Sequence, residues 1–481
     1  MTGTKRLPFR KRGGTDMTEG NIFRHLIVFA LPLLIGNIFQ QFYNIVDTWV
    51  VGTFVGDAAF SAVGSVGPMI NMLIGFFSGL STGAGVVISQ YYGAKNEEKV
   101  KETVHTAFTM TFLLSILFTV LGLSLIPFML RLSNTPAEVI PESTAYLTIY
   151  FSGMAGLMFY NICSGILRAV GDSVRPFIFL IVSAVINTSL DLLFVVAFNM
   201  GVAGVAYATI IAQGVSAILV IVTLMRTKSC IRFSFRNLCF KLDILTKIFR
   251  VGLPAAIQMA ITAFSNIFVQ SYINQFGTDC MSGWTAYSKI DQLLLLPTQS
   301  LALASTTFVG QNLGKRQVER AKRGIVISFL MSVAAAVFLM IPVMVFAPSL
   351  VSIFSSTPEV IRLGSLFLRW ITPFYALCCV NQIYAGALRG AGNSRAAMII
   401  MLISFVGFRQ LYLFIVSNYI SNTIIPLAMA YPAGWMLASI LVYSYYRSVN
   451  LEKHRLIEDT PSDQPKDSAA YEAPAESKSK F

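Results

Sequence analysis

Only 12% of the 481 residues are charged while 55% are hydrophobic, and the mean hydropathy is +0.67. A soluble domain carries roughly 25% charged residues, so this composition excludes a water-soluble enzyme or binding module. The net charge of +13 reads as membrane topology and attraction to anionic lipid headgroups; nucleic acid is not an expected partner.

A peptide group in lipid has no water to bond, so helices are the expected spanning elements. The expected fold is an all-α integral membrane protein of about twelve spans. In chain order these are 22–50, 58–90, 102–127, 143–167, 177–198 and 204–225, then 249–272, 282–310, 324–346, 362–388, 397–418 and 424–446. Residues 1–20 form a basic arm, 21–226 a first lobe, 227–248 a connection and 249–448 a second lobe. Residues 449–481, rich in Pro, Ser, Glu and Lys, read as a disordered tail. Span 1 is no cleavable signal peptide: it is too long and carries Gln40, Gln41, Asn44 and Asp47.

Basic residues gather in alternate connections. They include Lys5, Arg6, Arg10, Lys11 and Arg12 before span 1, Lys95 to Lys101 after span 2, and Arg226 to Arg250 at mid-chain. Lys315 to Arg323 follow span 8, and only Arg131 and Arg362 break the pattern. The positive-inside rule then places both termini in the cytoplasm of a bacterial plasma membrane protein.

The sequence repeats itself. Leu167-Arg168-Ala169-Val170-Gly171-Asp172-Ser173 returns as Leu388-Arg389-Gly390-Ala391-Gly392-Asn393-Ser394, at 389 − 168 = 221 residues. Pro32 and Phe42-x-Asn44-Ile45 return as Pro254 and Phe264-x-Asn266-Ile267. Gln90-Tyr91-Tyr92-Gly93 returns as Gln311-Asn312-Leu313-Gly314, and Thr135-Pro136 as Thr357-Pro358. A parallel repeat of this size in an apolar chain points to a two-lobed transporter, with Arg168, Gly171, Arg389 and Gly392 in matched turns.

Much chemistry is absent. The six cysteines show no metal-ligand spacing, the three histidines are scattered, and no phosphate loop occurs. No cofactor is expected, and uphill transport must draw on an ion gradient. The informative residues are polar ones inside spans, where an ionisable group costs a few kcal/mol. Gln40, Tyr43, Asn44 and Asp47 form one stripe on span 1; Asn187 and Asp191 are i, i+4 neighbours on span 5; Thr209 lies one turn into span 6. Span polarity puts Asp47, Asp191 and Thr209 at a similar depth, where the cluster can hold a proton or offer oxygens to Na⁺. Asp47, Asn187 and Asp191 are metal ligands only in the Na⁺ case.

These features resemble the multidrug and toxic compound extrusion (MATE) family over residues 17–450. The repeated Leu-Arg-x-x-Gly-Asp/Asn-Ser turns and the proline-bearing spans 1 and 7 match it. Asp47, Asn187, Asp191 and Thr209 resemble the cation-coupling residues of its DinF-like branch. The resemblance implies two six-helix bundles related by pseudo-twofold symmetry, exporting drugs in exchange for H⁺ or Na⁺. It departs at Thr262, where the branch with second-lobe Na⁺ chemistry carries Glu. The second lobe has instead Lys289, Asp291 and Arg409, of which the last two are expected to form a structural ion pair.

The expected function is secondary export of amphipathic, often cationic compounds by a monomer, and no enzyme. The cargo path is expected along spans 1, 2, 7 and 8. Gln40, Tyr43, Asn44, Met69, Asn161, Met259 and Trp284 are its contacts, with Phe39, Phe42 and Met72 beside them. The alternatives are a flippase of a lipid-linked precursor, disfavoured by the few basic residues in the spans, and a narrow-specificity metabolite exporter.

Overall fold

The computed structural model describes residues 15–55, 57–132 and 137–457. The basic residues Lys5 to Arg12, the Thr135-Pro136 pair and the tail from 458 lie outside the described residues. Within them every regular element is helical. The first half holds α1 (Ile22–Val50), α2 (Asp57–Gly93), α3 (Glu97–Leu132), α4 (Ile140–Ser152), α5 (Met154–Ala169), α6 (Val174–Asp191) and α7 (Gly201–Arg226). The second holds α8 (Leu242–Asn274), α9 (Thr278–Gly314), α10 (Val318–Val345), α11 (Ala347–Ser352), α12 (Pro358–Ile371), α13 (Tyr375–Ala391), α14 (Ser394–Leu402), α15 (Arg409–Ile415), α16 (Ile424–Ala428) and α17 (Ala430–Ser448).

Eleven helical stretches among the described residues are long and apolar enough to cross a bilayer, and α4 with α5, bent by 47°, makes a twelfth. The expected spans are thus present, with two refinements. The fourth is broken at Gly153. The tenth is interrupted at Thr372-Pro373-Phe374, where proline removes a ladder donor. Short π-helical turns occur at 192–197, immediately after Asp191, and at 403–408, immediately before Arg409.

Three apolar cores show how the repeat is used. Residues of α2, α3, α4, α5 and α7 form the first core, and it also takes Ile244, Ile248 and Val251 from the start of α8. A core of the second half, around α9, α10, α13 and α17, takes Leu26 and Phe29 from the start of α1. Further along, Val50 rejoins the first core, while Val269 and Ile273 enter a third, built around α9 and α12. Each leading helix therefore begins packed on the opposite lobe and ends in its own.

The basic end of the bundle is sealed by one interaction made twice. Gln90 Nε2 donates to Gly390 O at 3.0 Å, and Gln311 Nε2 donates to Ala169 O at 2.9 Å. Both pairs obey the repeat, since 311 − 90 = 221 and 390 − 169 = 221. Each glutamine oxygen is met by a terminal segment: Leu456 N–H reaches Gln90 at 2.8 Å and Met17 N–H reaches Gln311 at 2.9 Å. The backbones cross so closely that a Cβ on Gly93 meets Gln311 O at 1.9 Å, and one on Gly314 meets Gln90 O at 2.0 Å. Only glycine fits either crossing.

Candidate functional site

The repeat turns hold this basic end in shape. Gly171 and Gly392 adopt φ of 85° and 98°, a left-handed conformation that glycine takes without strain. A Cβ there meets Thr15 O at 2.3 Å or His454 O at 2.6 Å, so each turn is pressed by a terminal segment. Asn393 caps α14 by accepting the Ala396 N–H at 3.4 Å, and its repeat partner Asp172 accepts the Arg175 N–H at 3.2 Å. Burial pushes the Asp172 carboxyl up, against the pull of Arg175 beside it. Arg168 lines a small space between the lobes with Ser81, Ser89, Thr306 and Thr307. Arg389 is buried and donates to Gln258 Oε1 at 3.4 Å.

Toward the opposite end, the first lobe gathers its polar residues. Asn187 is 2% exposed and Asp191 0%. Carboxylates only accept hydrogen bonds, so the Asn187 amide must turn its nitrogen to them. So oriented, it donates to Asp47 Oδ1 at 2.8 Å and Asp191 Oδ2 at 3.2 Å, while its oxygen accepts the Thr209 N–H at 3.3 Å. The Thr209 hydroxyl donates to Val205 O at 3.0 Å. Asp191 Oδ1 is enclosed with no hydrogen-bond donor. The four coupling candidates of α1, α6 and α7 are thus one cluster.

Two carboxylates sharing one amide in an enclosed site repel each other, and together they favour uptake of one positive charge. In this orientation the Asn187 oxygen faces the Thr209 N–H. Turned the other way, the same amide presents its oxygen to the two carboxyl groups, the arrangement a Na⁺ cage requires. Among the described residues no group of three or more His, Cys, Asp or Glu side chains is placed to hold a metal. Tyr43 of α1 and Tyr146 of α4 lie near the pair, and Tyr150 stacks beside Tyr146 at a ring separation of 6.2 Å. The α4 tyrosines were not among the sequence candidates; their i, i+4 spacing on a bent span was the available signal.

The expected cargo contacts divide. Gln40 and Tyr43 are half-buried and Asn44 is exposed on α1, with Phe39 and Phe42 45% and 62% exposed beside them. Met69 packs against the first core, and Met259 lies at the α2–α8 crossing, against Gly75. Asn161 donates to Leu157 O of its own helix at 2.9 Å, as an in-helix structural contact. Trp284 corrects the expectation. It is buried in the second lobe, against Tyr287, Phe367 and Tyr431 at ring separations of 4.9, 5.0 and 5.6 Å. Its face of α9 packs inward.

The expected Asp291–Arg409 ion pair does not form. Asp291 Oδ1 accepts the hydroxyls of Tyr287, at 3.2 Å, and Tyr375. Arg409 Nη2 donates to Ser265 Oγ at 2.8 Å and Asn266 Oδ1 at 2.9 Å, and the guanidinium lies 4.8 Å from the Tyr431 ring centre. Each charge is met by neutral polar or aromatic groups nearer to it than the other charge.

The MatE family model matches the chain twice, over residues 32–193 and 254–415. The chain belongs to the MATE family. The two matches are offset by 254 − 32 = 222 residues, so the internal repeat is the family domain duplicated. The chain is similar to Probable multidrug resistance protein YoeA of Bacillus subtilis, at 30% identity, covering 92% of this chain and 97% of that one. It is also similar to an FAD transporter of Shewanella oneidensis, at 24% identity over 88% of this chain and 94% of that one. A solved structure titled as an outward-facing multidrug resistance MATE transporter superposes with a TM-score of 0.85 at 22% identity, covering 90% and 97% of the two chains. The MATE fold of two six-helix lobes is therefore shown, and the protein is a multi-pass membrane transporter of a multidrug-efflux family, not an enzyme.

Proposed function

We propose that this MATE chain exports amphipathic, mainly cationic small molecules in exchange for protons, and that Asp47, Asn187, Asp191 and Thr209 form the coupling site, as in the DinF-like branch. The observation that carries the reading is the pair of carboxylates from α1 and α6 sharing one amide, with one enclosed carboxylate oxygen lacking a donor. A proton satisfies that oxygen; its loss leaves a concentrated negative charge that attracts a cationic cargo.

The basic end, sealed by the paired glutamines, is assigned to the cytoplasm by the positive-inside rule. In this conformation the cargo path then faces outward. Proton entry from outside neutralises the cluster and weakens its hold on the cargo, which leaves. The lobes next rock about the crossed starts of α1 and α8 and open the cytoplasmic side, where the proton is released and new cargo binds. Phe39, Phe42 and Tyr43 supply an apolar, aromatic wall for cargo of varied shape. A second reading, export of one metabolite by the same cycle, draws support from the FAD transporter among the relatives.

Cells expressing the protein are expected to extrude an ethidium-like dye, and to stop when a protonophore is added. Asp47→Asn should express normally and fail to extrude. Dye export that survives both treatments would overturn the proposal.

A further inference from the structure

The second lobe carries a cation where the first carries its acidic cluster. Arg409 corresponds to position 409 − 221 = 188, one residue past Asn187. Its partners Ser265 and Asn266 correspond, at the 222-residue offset of α1 and α8, to Tyr43 and Asn44. In each lobe the leading helix meets the fifth span through polar groups beside a π-helical turn, a device often found at functional sites. The scaffold is shared and the sign is reversed.

Arg409 is 3% exposed, and its Nε is enclosed with no acceptor. Its bonded partners are neutral: Ser265, Asn266 and the Tyr431 ring. Asp291 is held by Tyr287 and Tyr375 instead. A guanidinium inside a span with no bonded anion is costly, and its unmet Nε N–H and its charge suit one carboxylate oxygen. Access is short. Asn266, which accepts from both Arg409 and, at 3.4 Å, the Tyr431 hydroxyl, is exposed.

We infer that Arg409, framed by Ser265, Asn266 and Tyr431, binds the carboxylate of a cargo, so that the second lobe selects amphiphiles bearing an acid beside their amine. The inference rests on the exporter reading only in that the ligand is a cargo. It is tested at equilibrium, without gradients, so failure of proton coupling leaves the result readable.

The probes are a zwitterionic fluorescent amine carrying a carboxylate and its methyl ester, titrated onto the full-length protein in nanodiscs at pH 7.5. The wild type is expected to bind the acid about tenfold tighter than the ester, as one charge-assisted hydrogen bond provides. Arg409→Gln should bring that ratio to about one by weakening the acid alone, and Arg409→Lys should leave an intermediate ratio. Acetate, exchanged for chloride at constant ionic strength, should displace the acid and spare the ester; this arm needs no variant to fold. Equal affinities in the wild type, a ratio that survives Arg409→Gln, or acetate acting alike on both probes would each overturn the inference.

Discussion

The two lobes share a backbone plan and differ in what they place inside it. In the first, α1 and α6 bring two carboxylates to one amide. In the second, the corresponding helices bring an arginine to a serine and an asparagine. At the basic end the lobes are equivalent down to single hydrogen bonds, through Gln90 and Gln311. Duplication has thus kept the closing device symmetric and let the interior diverge.

The largest expected effect breaks the interior asymmetry. Asp191→Asn, like Asp47→Asn, should reduce gradient-driven export at least tenfold, while Asp291→Asn, on the packed face of α9, should leave it within about threefold. Dye efflux normalised to membrane expression makes the comparison, and equal losses in the two lobes would contradict it. The symmetric end is tested next. Gln90→Ala and Gln311→Ala each leave a buried carbonyl and a buried N–H unpaired, at about 1–3 kcal/mol per group. The two variants should increase labelling of a cysteine placed at the sealed crossing to the same extent. A large difference between them would mean that the closures are not equivalent.

Smaller effects refine the cluster. Thr209→Val keeps the backbone N–H that Asn187 accepts and removes only the hydroxyl. It should slow export a few-fold without changing which gradient drives it. Complete loss would make the hydroxyl an essential ligand and favour Na⁺. The smallest change is expected at the strap. Lys315 donates to Glu19 at 2.7 Å and holds its carboxyl below the usual range, so the contact persists above ordinary carboxylate pH and fades as Glu19 protonates. With Glu19 exposed to solvent, it contributes little. Glu19→Gln should leave thermal stability and efflux unchanged within error, and a clear destabilisation would show that the N-terminal strap depends on this pair.

Much of this was legible in the sequence, for identifiable reasons. Polar and ionisable residues stand out in apolar runs, so Asp47, Asn187 and Asp191 were visible, and the direction of each span set them at one depth. The duplicated turns were visible because left-handed glycines and Asp or Asn caps tolerate few replacements. Trp284 was misread because periodicity defines a helix face but does not say whether it meets a cavity or a core. Arg409 was paired with Asp291 on charge alone, whereas Tyr287 and Tyr375 supply donors nearer to that carboxylate. The role of Gln90 and Gln311 was missed although their island was found, since a bond between lobes depends on how the halves cross.

On the proposed mechanism, one proton-binding cluster, in one lobe, couples export to the gradient. The most direct test is transport of a cationic dye in proteoliposomes holding purified protein, with a pH gradient or a Na⁺ gradient imposed separately. The pH gradient alone is expected to drive dye against its concentration, with proton counter-movement that disappears in Asp47→Asn. Transport driven by Na⁺ at equal pH on both sides, or proton-coupled transport surviving in Asp47→Asn, would contradict it.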